Sequence, residues 1–247
     1  MPESMVALES SGLSQIERVV DTFVAPSKTF HDVLRSTNWW LPFLIAMFAA
    51  IGSAYAVDQK IGFDNVAEMS IQQSPTSEEQ MAKLEPGARA HQMHIIAASM
   101  RYASYASGAL ILLFTTVFAL INWASFNFVL GARTTFGQNF AVCLYASLPR
   151  VFLSLLNIVL VYAGVNTDNF DLNNPVGTNV GYYLADAPHW AKTALSFFDV
   201  FGLWTLALMV IGMAIVSGKT KSQSAAIVVG WWLLGMVVLT GMAFVRG

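Results

Sequence analysis

The chain has 247 residues, of which 55% are hydrophobic and 11% charged, with a formal net charge of −2. A mean hydropathy of +0.56 leaves too little polar surface for a water-soluble globule. The slight acidic excess supplies no basic field to neutralise phosphates, which excludes nucleic acid as a partner.

The first 38 residues read as a cytoplasmic amphipathic segment. They carry Glu3, Glu9, Glu17 and Asp21 and lack the basic start of a cleavable signal peptide, so the first membrane helix is expected to act as its own insertion signal. Ser14 followed by Glu17 forms a capping-box pattern, after which Leu13, Ile16, Val19, Val20 and Phe23 recur at helical spacing. Pro26 interrupts that helix, Ser27 offers a new N-cap, and Phe30, Val33 and Leu34 mark a second amphipathic piece. Phe23, Phe30, Val33 and Leu34 are expected to face the membrane surface. Trp39 and Trp40 suit an interfacial belt, with Pro42 in the first turn of the helix that follows.

Apolar runs then occupy residues 39–57, 102–130, 140–164, 201–217 and 225–245. Each is about 17 residues or longer, enough at 1.5 Å per residue to approach or exceed the ~30 Å hydrocarbon core of a bilayer. The fold class is therefore all-α: a polytopic bundle of five transmembrane helices over residues 39–247, preceded by surface helices. Residues 58–101 are expected to form a helical hairpin outside the bilayer, with a capping box at Ser77 and Gln80 and a helix opened by Glu85-Pro86. In 165–198, Asn166, Asn169, Asn173, Asn174, Pro175, Gly177 and Gly181 favour turns and an irregular connection. The short connections 131–139 and 218–223 require antiparallel neighbours.

Orientation is evenly weighted by charge. A cytoplasmic N-terminus puts Arg18, Lys28, Arg35, Arg133, Lys219 and Lys221 inside, against Lys60, Lys83, Arg89, Arg101, Lys192 and Arg246 outside. The denser charge of the short inner loops tips the balance toward that orientation.

Arg150 is the most unusual residue, because a charge within a span costs about 2.5 to 3.5 kcal/mol on insertion scales. It reads either as a site for an anionic substrate or lipid headgroup, or as an anchor bonded to Asn122, Asn127 or Asp199 or snorkelling to an interface. The adjacent Pro149 removes a backbone hydrogen bond and should kink the third span. Asp199, at the start of the fourth span, reads as a helix cap or, where it shares a cavity with Arg150, as a proton- or cation-coupling group. His91 and His94 lack the further ligands a zinc site needs, and the Asn169, Asp171, Asn173 alternation lacks the glycine and glutamate of a calcium loop. Small residues at Ala46, Ala50 and Ala54, at Ser104 and Gly108, and at Ala226 and Gly230 permit close helix approach, within one chain or in a homo-oligomer. Cys143 lies in an apolar run as a small hydrophobe. No nucleophile elbow, zinc-helix motif, phosphate loop or dinucleotide fingerprint is present. No catalytic residue, metal or cofactor is expected.

The strings APSKTF, TTFGQNFAVCLYASLPRVF and FFDVFGLWTLALMVIGMAIVSGKTKSQSAAIVV resemble the bacterial branch of the Yip (Ypt-interacting protein) domain family, over roughly residues 15–245. The resemblance implies a five-helix integral membrane protein with its N-terminus in the cytoplasm and its C-terminus outside, which places this chain in a bacterial cytoplasmic membrane. Eukaryotic relatives are associated with small Rab-type GTPases, but their Asp-Leu-Tyr-Gly-Pro string is Asp171-Leu172-Asn173-Asn174-Pro175 here, so that role is not carried over. The leading functional expectation is a non-enzymatic protein that organises membrane lipids or binds a membrane or cytoplasmic protein partner. The alternative is a small transporter or channel built around Arg150 and Pro149.

Overall fold

The computed structural model describes residues 12–165, 167–184 and 187–246; Glu3, Glu9 and Asn166 lie outside them. Two short helices, α1 (Gln15–Val24) and α2 (Pro26–Arg35), precede the first span, α3 (Trp40–Lys60). The α1 capping box forms as the sequence dictates, with the Ser14 hydroxyl accepting from Glu17 N and the Glu17 carboxylate accepting from Ser14 N. The backbone donor holds the exposed Glu17 carboxyl below the ordinary carboxylate range. The second helix differs from expectation at its start. Pro26 itself occupies the first turn, so Ala25, without a side-chain bond, stands where Ser27 was expected to cap.

Beyond α3 come α4 (Phe63–Gln72), α5 (Pro75–Ala82) and α6 (Pro86–Tyr105). The cap of α5 is Ser74, three residues before the expected Ser77, because Pro75 fixes the first helical φ. The second span, α7 (Ser107–Ala124), follows α6 after a break at Ala106 and ends in a π-helical turn, Ser125–Val129. The third span comprises α8 (Phe136–Ala146) and α9 (Arg150–Tyr162) on either side of Pro149. A second capping box, Thr135 with Gln138, starts α8 earlier than hydropathy alone indicated. Residues 165–188 contain only the short turns Thr167–Asn169 and Val180–Tyr183 among their described positions, whereas α10 (His189–Ser196) adds a helix within the expected irregular stretch. The last two spans are α11 (Val200–Ser217) and α12 (Lys221–Arg246).

These helices give five segments long and apolar enough to cross a bilayer: Trp40–Lys60, Ser107–Val129, Phe136–Tyr162, Val200–Ser217 and Lys221–Val245. They are not equivalent in packing. Residues 139–146 of α8 are buried without interruption, so this half-helix forms the centre of the bundle. By contrast only 11% of the apolar window of α12 is buried, leaving that helix peripheral. It is fixed by α11 and by α10, whose Trp190 meets Phe244 and whose neighbours Phe197 and Phe198 flank Trp232 edge-on.

Candidate functional site

The amphipathic N-terminus folds into a helical hairpin, and the hairpin docks on the bundle. Phe30 and Val33 are 0% exposed, packed in one cluster with α8 and α11. They therefore bury their apolar surface in protein, where the sequence aligned them with the membrane surface. The docking depends on Gly212, because a Cβ there would lie 2.7 Å from Val142 Cγ1 and 2.9 Å from Phe30 Cε1. Further along, Phe23 contacts Phe152 and Trp204 edge-on, with ring centroids 5.4 and 5.7 Å apart. Trp204 and Gly212 are separated by about 12 Å of helix rise. The hairpin thus lies along a membrane span instead of resting only on its end.

The polar interior of the hairpin is organised by Arg18, which is fully buried although it belongs to a short surface-type helix. Its Nε donates to Asp32 Oδ2 at 2.6 Å and its Nη1 to the carbonyl of Ser36 at 2.8 Å. Thr22 and Thr29, both buried, donate to the Arg18 carbonyl at 2.7 and 2.9 Å. Arg35 supplies a second bond to Asp32, from Nε to Oδ1 at 2.8 Å. Burial pushes the Asp32 carboxyl up, but hydrogen bonds and charge from Arg35 and Arg18 outweigh it and hold the group below the usual carboxylate range. The Tyr145 hydroxyl, from the centre of α8, lies 2.9 Å from Gln15 Oε1 and 3.1 Å from the Asn38 carbonyl, tying the base of the hairpin to the core.

The outer face of the hairpin shows a different stripe. Ile16, Val20 and Val24 are 71%, 53% and 74% exposed, and Lys28, His31, Leu34 and Arg35 are exposed beside them on α2. Sequence periodicity contained both apolar stripes; tertiary contact selected which one was buried.

The intramembrane candidates are dispersed. Arg150 is exposed at the first position of α9, and among the described residues its guanidinium has no ion pair or hydrogen bond. Pro149 precedes it in the break between α8 and α9, where Leu148 N donates to the Tyr145 carbonyl at 3.2 Å. Asn122 is buried and donates to the Phe118 carbonyl at 2.9 Å. Asn127 closes the α7–α8 connection, donating to Thr134 O at 2.9 Å and accepting from Thr134 N at 2.8 Å. Asp199 caps α11 by accepting from Gly202 N at 2.8 Å and also takes a hydrogen bond from Thr178. Asn127 and Asp199 are engaged elsewhere, Asn122 Nδ2 bonds back to its own helix while its Oδ1 has no partner, and none of the three bonds the Arg150 guanidinium, so the sequence-derived constellation does not assemble around it. Trp39 turns inward against Phe43 and Phe140, whereas Trp40 is 49% exposed. His91 and His94 are both exposed, and no group of three metal-ligating side chains occurs among the described residues.

The groups that local sequence reasoning missed are Arg18, Asp32 and Gly212. The only sequence signal for the ion pair was opposite charge on two short helices separated by a helix-breaking Pro26. A family model of the Yip1 domain matches residues 20–242. No curated protein and no solved structure matches the chain.

Proposed function

This chain belongs to the Yip1 domain family, and on that premise we propose that it is a non-enzymatic membrane scaffold that binds a protein partner through its docked hairpin. In this reading the hairpin faces the cytoplasm of a bacterial cell, the C-terminus lies outside, and bilayer lipids surround the bundle. The supporting observation is the outward stripe of Ile16, Val20 and Val24 beside Lys28, His31 and Arg35 on an element whose opposite face is fixed. Branched apolar side chains at four-residue spacing suit the apolar face of an amphipathic partner helix. A mounted hairpin offers that surface without the ordering cost of a free segment.

A photo-cross-linking residue at Val20 in the full-length protein in its native membrane tests this reading. Protein adducts are expected, and they should be lost in an Ile16→Ser, Val24→Ser background that retains the fold. Lipid-only or intramolecular products at Val20 would reject the partner surface. Reporter fusions at the two ends should report opposite sides of the membrane.

Transport is a second reading, favoured by the exposure of Arg150 at the helix break. Purified protein in liposomes should pass no chloride or phosphate, and Arg150→Leu should preserve insertion. Anion flux abolished by Arg150→Leu without loss of folding would replace the scaffold reading with a transport one.

A further inference from the structure

The half of the bundle remote from Trp40 contains a cleft of about 190 Å³ between α3, α6, α7 and α9, bordered by Leu172 and Pro175 of the long connection. Its polar lining comes from Ser53, Ser104, Ser107, Ser154 and Asn157. Asn157 is only 4% exposed, and its Nδ2 donates to Ser53 Oγ at 2.7 Å. Its Oδ1 has no partner, and neither does the buried Oγ of Ser107 on the facing helix. Since a carboxamide oxygen can only accept, the cleft presents a buried acceptor that requires a donor, with serine hydroxyls around it that can donate or accept. Leaving such a buried oxygen without a donor is costly, and no donor among the described residues reaches it.

The charge balance narrows the ligand. Among the described residues, no ionisable side chain lines the cleft. The nearest carboxylate along α3, Asp58, is occupied by Arg101 in a two-point bond at 2.7 and 3.1 Å and by Tyr105 at 3.0 Å. Arg101 is committed to that carboxylate, and the Asp58 hydrogen bond holds its guanidinium above its ordinary value. Among the described lining residues, neither a phosphate nor an ammonium group would find a counter-charge.

We propose that this cleft binds an uncharged hydroxylated group, supplied by a neutral lipid headgroup entering between the spans or by a free polyol. The ligand hydroxyl donates to Asn157 Oδ1 and accepts from a lining serine, while the apolar rim at Ala54, Val57 and Leu172 accommodates carbon.

The test measures binding to the full-length protein in nanodiscs, with dioleoylglycerol and glycerol as separate probes and dioleoylphosphatidic acid as the anionic comparison. Saturable binding of either neutral probe is expected, dioleoylglycerol identifying a lipid source and glycerol a soluble one. Asn157→Leu should weaken it about tenfold, the scale of a lost hydrogen bond to a buried group. Ser154→Phe leaves the Asn157–Ser53 bond in place and should block binding by filling the cleft, which guards against a variant that simply misfolds. Absence of binding by both neutral probes, equal binding of dioleoylphosphatidic acid, or wild-type affinity in folded Ser154→Phe protein would each overturn the proposal.

Discussion

The two ends of the first span present opposite solutions to burying polar atoms beside a membrane helix. Near Trp40, Arg18 is fully buried yet its guanidinium meets Asp32 and backbone carbonyls, and apolar Phe30 and Val33 fill the surrounding space. Near Val57, Ser107 and Asn157 surround open volume with an unpartnered oxygen on each. The first arrangement is closed and self-satisfied, which suits a structural lock. The second is open and unsatisfied, which suits exchange with something outside the chain.

The largest effect that would break this comparison is expected at Phe30. Phe30→Ala removes a fully buried ring from the joint between α2, α8 and α11 and should cost about 3–5 kcal/mol. Thermal unfolding in detergent would measure it, and a loss below about 1 kcal/mol would mean that the hairpin is only loosely held. Arg18→Met is next, at about 3 kcal/mol, because it leaves the Ser36 carbonyl and part of Asp32 without their donor. The Arg35–Asp32 bond remains in that variant and limits the damage.

Overpacking probes the same joint from the other side. Gly212→Ala places a methyl group against Val142 and Phe30 and should cost about 1–3 kcal/mol, with increased hydrogen exchange over residues 15–35 before residues 40–60. Uniform exchange changes across both segments would mean that hairpin and bundle unfold as one unit.

Acid offers a smaller, reversible perturbation. The folded Asp32 carboxyl lies below its unfolded value, so its contribution is present at neutral pH and is lost as the pH falls through the folded value, below about pH 4. Hydrogen exchange of residues 15–35 should rise selectively in that range. In Asp32→Asn protein the acid-dependent step should shrink, leaving the part that belongs to the Glu17 cap. The smallest effect belongs to the open end: without ligand, Asn157→Leu should change stability by about 1 kcal/mol or less, since it removes one hydrogen bond together with an unsatisfied acceptor.

Much of the architecture follows from local sequence. The length and hydropathy of the apolar runs determine five spans, because backbone groups in lipid must be satisfied within each helix. Ser14 with Glu17, Glu85-Pro86 and the acidic cap Asp199 act over three or four residues and were legible for that reason. The family assignment likewise follows from sequence and spans residues 20–242.

Tertiary structure decided what no local period contains. Helix α1 carries Ile16, Val20 and Val24 on one side and Val19 and Phe23 on another, so its periodicity permitted two burial directions. The space beside Gly212 and the Arg18–Asp32 pair selected the second. Arg150 had plausible polar partners by composition, but Asn127 and Asp199 bond within their own connections, and Asn122 bonds back to its own helix with its Oδ1 left without a partner, Arg150 included. Conversely, Ser53 and Asn157 were unremarkable members of separate apolar runs until α3 and α9 brought them to 2.7 Å. Helix existence depends on neighbours within a few residues along the chain, whereas these sites join groups from different helices, 14 residues apart for Arg18 and Asp32 and 104 for Ser53 and Asn157, whose proximity only the packed bundle determines.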